Sequence, residues 1–139
     1  MLAGDDALVV DASALIAAFT DRGGLGQAAR RRLHGSRRHA PHLVDAEVGN
    51  VLRRMALRGD ISAEAARRSR MLATRAVGFR YRLWGPLADR AWELRDNVSF
   101  YDALYVALAE SLDAPLVTVD ARLAQAPGPR CVVEVVNQT

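Results

Sequence analysis

The sequence alternates short apolar runs rich in β-branched residues with longer stretches of helical spacing. The runs that predict strands are "ALVV" at 7–10, "FRYRLW" at 79–84, "PLVTV" at 115–119 and "CVVEVV" at 131–136. Strands separated by helices are typical of a parallel sheet with helices on both faces. The sequence therefore predicts an α/β/α sandwich with a central, mainly parallel sheet.

The length of 139 residues is that of one domain, which we place at 1–139 with flexible ends at 1–6 and 137–139. The longest apolar stretch, "ALVVDASALIAAF", is broken by Asp11 and is too short to cross a bilayer. Asp5 and Asp6 lie where a signal peptide would carry positive charge. The single cysteine, Cys131, excludes an internal disulfide. We expect a cytoplasmic protein without a membrane segment.

Two of the predicted strands are followed by an aspartate. Asp11 follows "ALVV" and Asp120 follows "PLVTV". Either residue alone is explained as the N-cap of the helix after it. In a parallel sheet, however, the carboxyl ends of the strands meet at one edge, where ligands bind. We therefore expect both carboxylates to lie at that edge.

A third aspartate interrupts the apolar helix "NVSFYDALYVALAES" at 97–111. Ser99 and Asp102 fit the S-x-x-D capping box, so the acid has an ordinary structural explanation. The strand that follows this helix runs antiparallel to it, so the helix start and the strand end lie on the same side. Asp102 can then point at the same edge as Asp11 and Asp120.

A fourth candidate lies on a third predicted helix, which we expect to open at Pro41 and to end before Gly59. Its apolar face carries Val44, Val48, Val51, Leu52 and Met55. Asp45 and Glu47 lie at opposite edges of that face, so helical periodicity does not choose between them. Either acid is also explained as an exposed residue in the first helical turn.

The charge of the chain is uneven. All 19 basic residues are arginine, so phosphate sites that need a lysine are excluded. Residues 22–82 contain fifteen arginines and four acids, a net charge of +11, whereas residues 83–139 have a net charge of −4. A basic region within one domain favours a polyanionic partner such as nucleic acid. The alternative is a solvated surface that is rich in arginine through codon usage.

Carboxylates crowded at one edge repel each other unless a cation joins them. Oxygen ligands suit Mg²⁺ or Mn²⁺ rather than zinc. Such ions activate water and stabilise negative charge on a phosphodiester. An acidic metal pocket beside a basic surface is the electrostatic arrangement of a nuclease.

The residues that carry these features resemble a known family. The segments "VVDASALIAAF", "APHLVDAEVGNVLRR" and "LRDNVSFYDALYVALAESLDAPLVTVDARL", with the closing apolar strand, are similar to the PIN-domain ribonucleases. Within them the chain most resembles the VapC toxins of bacterial toxin–antitoxin systems. The resemblance covers roughly residues 7–136.

The resemblance implies which residues form the site. It makes Asp11, Glu47, Asp102 and Asp120 the catalytic and metal-binding acids, since Glu47 matches the P-x-L-x-x-x-E pattern counted from Pro41 and Asp45 does not. Ser13 and Thr118 match polar positions that support the acids. Asn50 and Asn97 also match polar positions, with a helix-surface or loop role as the alternative. Asp102 would then both stabilise its helix start and bind metal.

The resemblance further implies a Mg²⁺- or Mn²⁺-dependent endoribonuclease that leaves 5′-phosphate and 3′-hydroxyl ends. It implies inhibition by a VapB-like antitoxin and a homodimer. Two alternatives stay open: an RNA-binding module whose acids are only caps, and a PIN nuclease that matures RNA and is not a toxin. Loss of activity on chelation and on substitution of the acids would exclude the RNA-binding module. A neighbouring antitoxin gene would favour the toxin over the RNA-maturation nuclease.

The remaining conspicuous residues have structural explanations. One face of the Asp102 helix predicts core residues, namely Tyr101, Leu104, Tyr105, Leu108 and Leu112. Trp84 and Trp92 can pack in the core or against a partner. The histidines are His34, His39 and His42, and we do not expect them to bind zinc, because no second ligand type accompanies them. Arg38 and His39 are weak candidates for RNA contact.

Overall fold

The centre of the fold is a sheet of five strands that pair in parallel throughout the described residues, 6–137. The strand order is β3-β2-β1-β4-β5. Their bounds are β1 Ala7–Val10, β2 Arg37–Pro41, β3 Phe79–Tyr81, β4 Leu116–Thr118 and β5 Val133–Val135. The predicted α/β class with a mainly parallel sheet is confirmed. The predicted flexible ends lie almost wholly outside the described residues.

Seven helices connect these strands within the same residues. They are α1 Ala12–Thr20, α2 Gly24–Leu33, α3 Leu43–Leu57, α4 Ala63–Ala76, α5 Pro86–Glu93, α6 Phe100–Leu112 and α7 Ala121–Gln125. The chain passes from β1 to β2 to β3 in one direction and then returns across the sheet to β4 and β5. Since parallel crossovers are right-handed, α1 to α4 cover one face of the sheet and α5 to α7 cover the other.

The neighbouring strands β1 and β4 are the most completely buried strands of the sheet. All four residues of β1 and all three of β4 are buried, and Val9 and Val10 of β1 pair with Leu116 and Val117 of β4. On α6 every residue from 103 to 109 is buried, because this helix crosses β1, β2 and β4. The apolar character of these three segments therefore reflects burial on all sides.

The sequence-based assignment missed β2. Pro41 was expected to open the third helix, but it ends β2, and α3 begins at Leu43. The segment "RRHAP" has no β-branched residue and begins with two charged ones, so its composition does not indicate a strand. Its last three residues are nevertheless buried, between β1 and β3.

Arg38 and His39, the two candidates for RNA contact, both support the structure around β2. His39 is buried, stacks on Phe79 with a centroid distance of 4.6 Å, and shares a 2.8 Å hydrogen bond with the Tyr81 hydroxyl. The Arg38 guanidinium donates to carbonyl oxygens of the α2–β2 connection and to that of Ala76 at the end of α4. Both side chains therefore have structural partners within the described residues, and their contact with RNA stays a prediction.

Tyr101 was also predicted to lie in the core and is 61% exposed. It belongs to the first turn of α6, and burial of this helix begins only at Ala103, two residues later. Trp84 and Trp92 are exposed as well, and each is covered by an arginine, Arg82 or Arg95. These two tryptophans therefore lie on the surface of the described chain.

Two helical glycines give a matched test of the packing. A Cβ at Gly26 in α2 would lie 1.9 Å from the carbonyl oxygen of Asp21, whereas a Cβ at Gly49 in α3 would have no atom within 4 Å. We expect Gly26→Ala to lower the free energy of unfolding by about 2 kcal/mol or more, through overpacking. Gly49→Ala should raise it by roughly 1 kcal/mol, since alanine is the better helix former.

Urea denaturation of both variants checks this pair of predictions. Equal effects of the two substitutions would contradict the close approach of α2 to the end of α1.

Candidate active site

The site lies where the order of the strands reverses. The chain leaves β1 toward β2 and returns to the other side of β1 at β4, so the connections after these strands diverge and leave a crevice at their carboxyl ends. A cavity of about 450 Å³ opens there. Among the residues that the structure describes, its walls hold five carboxylates and no basic side chain; the acids are Asp11, Asp21, Glu47, Asp102 and Asp120.

Asp11 is the most enclosed of these acids, with 7% of its surface exposed. One carboxylate oxygen accepts hydrogen bonds from the Ser13 hydroxyl (2.6 Å) and from the backbone N–H of Ala14 (3.0 Å). The other oxygen accepts one from the Thr118 hydroxyl (2.5 Å). Asp11 is thus the N-cap of α1, as its ordinary explanation requires, and it also lines the cavity.

Ser13 and Thr118 connect Asp11 to the end of β4. The Ser13 hydroxyl accepts from the N–H of Val119, and the Thr118 hydroxyl accepts from the N–H of Asp120 (both 3.1 Å). Burial raises the pKa of the Asp11 carboxyl, while the bonds from Ser13, Thr118 and Ala14 lower it in part. The two side chains expected to support the acids therefore lie in contact with Asp11.

The structure separates Glu47 from Asp45. Glu47 lies in the cavity and accepts a 2.6 Å hydrogen bond from the hydroxyl of Tyr105, a residue of α6. Asp45 lies outside the cavity, where Arg80 donates to both of its carboxylate oxygens at 2.7 and 2.9 Å. Burial raises the pKa of Glu47, and the charges of Asp102 and Asp11 raise it further against the effect of the Tyr105 bond.

Asp102 points into the cavity, and the cap of its helix is provided by Ser99. The Ser99 hydroxyl accepts from the N–H of Asp102 at 3.2 Å. Burial raises the pKa of the Asp102 carboxyl, and the hydrogen bond with Ser99 opposes this. The charge of Asp102 also raises the pKa values of Asp11 and Glu47. The charge of Asp120 in turn raises the pKa of Asp102. Asp102 is therefore the acid that interacts with the other three.

Asp120 lines the cavity and forms an ion pair with Arg122. It accepts from the N–H of Arg122 at 3.0 Å, as the N-cap of α7, and its two oxygens each accept a 3.1 Å bond from the Arg122 guanidinium. These hydrogen bonds hold the pKa of Asp120 below its usual range. The Arg122 side chain is 92% exposed, so it covers Asp120 from the solvent side.

Not every predicted residue reaches the cavity. Asn50 on α3 and Asn97 before α6 are exposed and do not line it, so the structure places them in their alternative positions, a helix surface and a loop. Two lining residues were missed by the sequence analysis. Tyr105 is fully buried, as expected of a core residue, but its hydroxyl holds Glu47. Asp21 ends α1 and accepts from the N–H of Gly23.

The donors in the cavity suit a hard divalent cation. They are carboxylates and hydroxyls, and neither histidine nor cysteine lines the wall, which fits Mg²⁺ or Mn²⁺ better than zinc. Within residues 6–137, no three His, Cys, Asp or Glu side chains already form a metal-binding cluster. The acids raise one another's pKa, so a bound cation would relieve their repulsion as it drew the oxygens together.

Comparison with known proteins identifies the family. The family profile of the PIN domain matches residues 8–129. The chain belongs to the PIN-domain family. Within that family it is 47% identical over 132 residues to ribonuclease VapC1 of Mycobacterium tuberculosis, covering 95% of this chain and 99% of that protein. It is therefore a member of the VapC ribonucleases, as the sequence resemblance predicted.

Solved structures show the same fold. VapC20 of Mycobacterium tuberculosis, described as a Sarcin–Ricin loop cleaving toxin, has a TM-score of 0.67 at 18% identity over 85% of this chain and 93% of that one. A toxin–antitoxin complex from Klebsiella pneumoniae has a TM-score of 0.66 at 20% identity over 95% and 99%. No helix in the described part of this PIN domain is long and apolar enough to cross a membrane.

The opposite pKa shifts of Asp102 and Asp120 predict opposite effects of pH. Because the pKa of Asp102 is raised by folding, its contribution to stability is complete below its ordinary value of 3.8 and is lost as pH rises through the raised pKa. We expect Asp102→Asn to gain stability relative to the wild type as pH rises from below 3.8 to neutrality. Urea denaturation over this range, in EDTA, measures the difference.

Asp120→Asn is the control with the opposite sign. Its lowered pKa contributes stability that is present above pH 3.8 and is lost as pH falls through the folded value, so the variant should lose stability relative to the wild type as pH rises. Two difference curves of the same sign would contradict the contrast between a desolvated Asp102 and an arginine-paired Asp120.

Proposed function

We propose that this VapC-family chain is the toxin of a toxin–antitoxin pair and acts as a Mg²⁺- or Mn²⁺-dependent endoribonuclease. The observation that carries the proposal is the cavity at the strand ends, which Asp11, Glu47, Asp102 and Asp120 line and which no basic side chain of the described residues lines. The name ribonuclease of its 47% identical relative gives the reaction class. The expected products have 5′-phosphate and 3′-hydroxyl ends.

Each acid has a role that its surroundings support. Asp11, Asp102, Asp120 and Glu47 would hold the cation, which supplies an activated water and neutralises charge on the phosphate. Ser13 and Thr118 fix both oxygens of Asp11, so that this carboxylate keeps one orientation. Tyr105 does the same for Glu47.

A surface rich in arginine beside the acids supports a polyanionic substrate. The segment 22–82 has a net charge of +11, and it includes α2, α3 and α4, which lie on the face of the sheet that α1 also covers. Arginines there would bind the phosphates that are not cut, while the cation neutralises the one that is. Since the proposed substrate is RNA, we expect the protein to act in the cytoplasm.

We also propose a VapB-like antitoxin partner and a homodimer, as the family resemblance implies. The Klebsiella pneumoniae structure, which shares this fold, is a toxin–antitoxin complex. In our chain the acids lie beside an apolar wall formed by Ile16, Ala17, Leu25 and Val51, from α1, α2 and α3. An antitoxin segment with apolar side chains and one cationic side chain would match both parts of the cavity.

Metal removal and substitution of the acids test the nuclease. We expect cleavage of RNA in Mn²⁺ to stop in EDTA, and to fall by about a hundredfold or more in Asp11→Asn and Asp102→Asn, since each removes a charged oxygen donor. Gel analysis of RNA fragments, with labelled ends to identify the terminal phosphate, measures this.

Asp45→Asn is the matched control for these variants. Asp45 lies two residues before Glu47 but is paired with Arg80 outside the cavity, so its loss should leave cleavage intact and cost at most about 1 kcal/mol of stability. If cleavage survives EDTA and both cavity variants, the catalytic proposal fails. The acids are then only caps, and Asp120→Ala should cost about 1 kcal/mol while leaving activity in cells unchanged.

Co-expression with the protein of a neighbouring small gene tests the toxin. We expect the two proteins to co-purify as a complex without nuclease activity, because the partner covers the cavity. The chain alone should arrest growth when induced. A nuclease that is harmless in cells and ignores its neighbour would indicate the other PIN role, in RNA maturation.

A further inference from the structure

A second, smaller cavity of about 240 Å³ adjoins the candidate active site. The two cavities share Thr20 and Asp21, the residues at the end of α1. The second cavity is walled by this end of α1, by α2, and by the first half of α4. It contains three arginines, Arg22, Arg30 and Arg68, against the single carboxylate of Asp21.

Two of these arginines are free to bind a ligand. Within the described residues, Arg22 and Arg68 are exposed and make neither a hydrogen bond nor an ion pair, and Arg68 has only a through-space attraction to Glu64. Arg30 uses one guanidinium nitrogen, Nη1, to donate to the carbonyl oxygens of Ala18 and Asp21, both at 2.9 Å. Its other nitrogens stay available.

The backbone that carries the arginines is fixed. The Ser69 hydroxyl on α4 donates to the carbonyl oxygen of Phe19 at 3.0 Å, which joins α4 to the end of α1. Arg30 joins α2 to the same turn. The three arginines therefore surround one end of α1, and their backbone is held in place. Binding a phosphate there requires little more than ordering the side chains of Arg22 and Arg68.

Helix α1 sets the spacing between the two cavities. Asp11 caps its start and Thr20 is its last residue, so the helix end beside Asp11 and the end beside the arginines lie about 14 Å apart along its axis, at 1.5 Å per residue. A stacked strand advances about 3.4 Å per nucleotide, so this distance corresponds to about four nucleotides. A strand whose scissile phosphate lies at the acids can thus place a nearby phosphate among the arginines.

We propose that Arg22, Arg30 and Arg68 form a phosphate-binding subsite for the RNA strand that continues from the active site. The inference rests on the proposed nuclease function and adds to it the path of the substrate along α1. The subsite recognises the charge and the spacing of the RNA phosphates, because arginine contacts to phosphate carry no information on the bases. It would favour substrates that extend a few nucleotides beyond the cut.

The double variant Arg22→Gln, Arg68→Gln tests the subsite, because both side chains are exposed and unbonded and their loss should leave the fold intact. We expect the KM for a long single-stranded RNA to rise about tenfold. The slope of log affinity against log salt, measured by fluorescence anisotropy in Ca²⁺, should become shallower by about 1.4, or about 0.7 for each lost contact. The kcat should change much less than the KM.

Arg37→Gln is the matched control. Arg37 is exposed, without a hydrogen bond from its side chain, and it begins β2 at the amino-terminal edge of the sheet, opposite the cavities. It should leave the KM and the salt slope at their wild-type values. Shortening the RNA stepwise from each end should reduce the effect of the double variant, and the end at which this happens gives the direction of the strand.

The outcomes separate this proposal from the nuclease itself. If the wild type cleaves RNA with a divalent metal and the double variant has the same KM and salt slope, the subsite is wrong while the nuclease stands. Unchanged RNA kinetics with weaker capture of the antitoxin would also overturn it and assign the arginines to the protein partner. If the wild type does not cleave RNA at all, the proposed function fails first.

Discussion

Asp11 is a nearly buried carboxylate that joins β1, α1 and β4. Its oxygens accept from Ser13 and Ala14 on α1 and from Thr118 at the end of β4. Within the described residues no buried side-chain polar atom lacks a partner, so both oxygens of Asp11 accept hydrogen bonds, although burial still raises the pKa of its carboxyl. The reversal of strand order leaves a crevice at this point, and the same bonds fix the geometry of that crevice.

In this arrangement, folding disfavours the ionised form of several acids. Burial raises the pKa of Asp11, Glu47 and Asp102, and their mutual charge adds to it. A protein selected only for stability would replace such groups with apolar residues. The caps explain part of their presence, since Asp11 and Asp120 cap helices and the Asp102 carboxyl has a hydrogen bond with Ser99, the cap of α6. The proposed cation site gives these acids, which line one cavity, a further role.

The parts of the fold that could be predicted are those where burial dominates. β1, β4 and α6 are mostly apolar, and the parallel sheet and the position of Asp11, Asp102 and Asp120 follow from them. β2 could not be predicted, because its burial comes from its neighbours β1 and β3 while its own sequence is charged. Helical periodicity did not show whether Asp45 or Glu47 belongs to the site. The deciding contacts, Arg80 to Asp45 and Tyr105 to Glu47, join residues 35 and 58 positions apart.

The charge count shows a similar limit. Residues 22–82 have a net charge of +11, but many of their arginines are used inside the fold. Arg32 pairs with Glu134, Arg80 with Asp45, and Arg38 donates to carbonyl oxygens. An arginine that is already bonded in this way must break those bonds to bind a phosphate, so it adds to the field of the protein but little to a specific contact. The arginines that matter for a substrate are therefore the few that combine exposure, free donors and a place beside the acids, as Arg22 and Arg68 do.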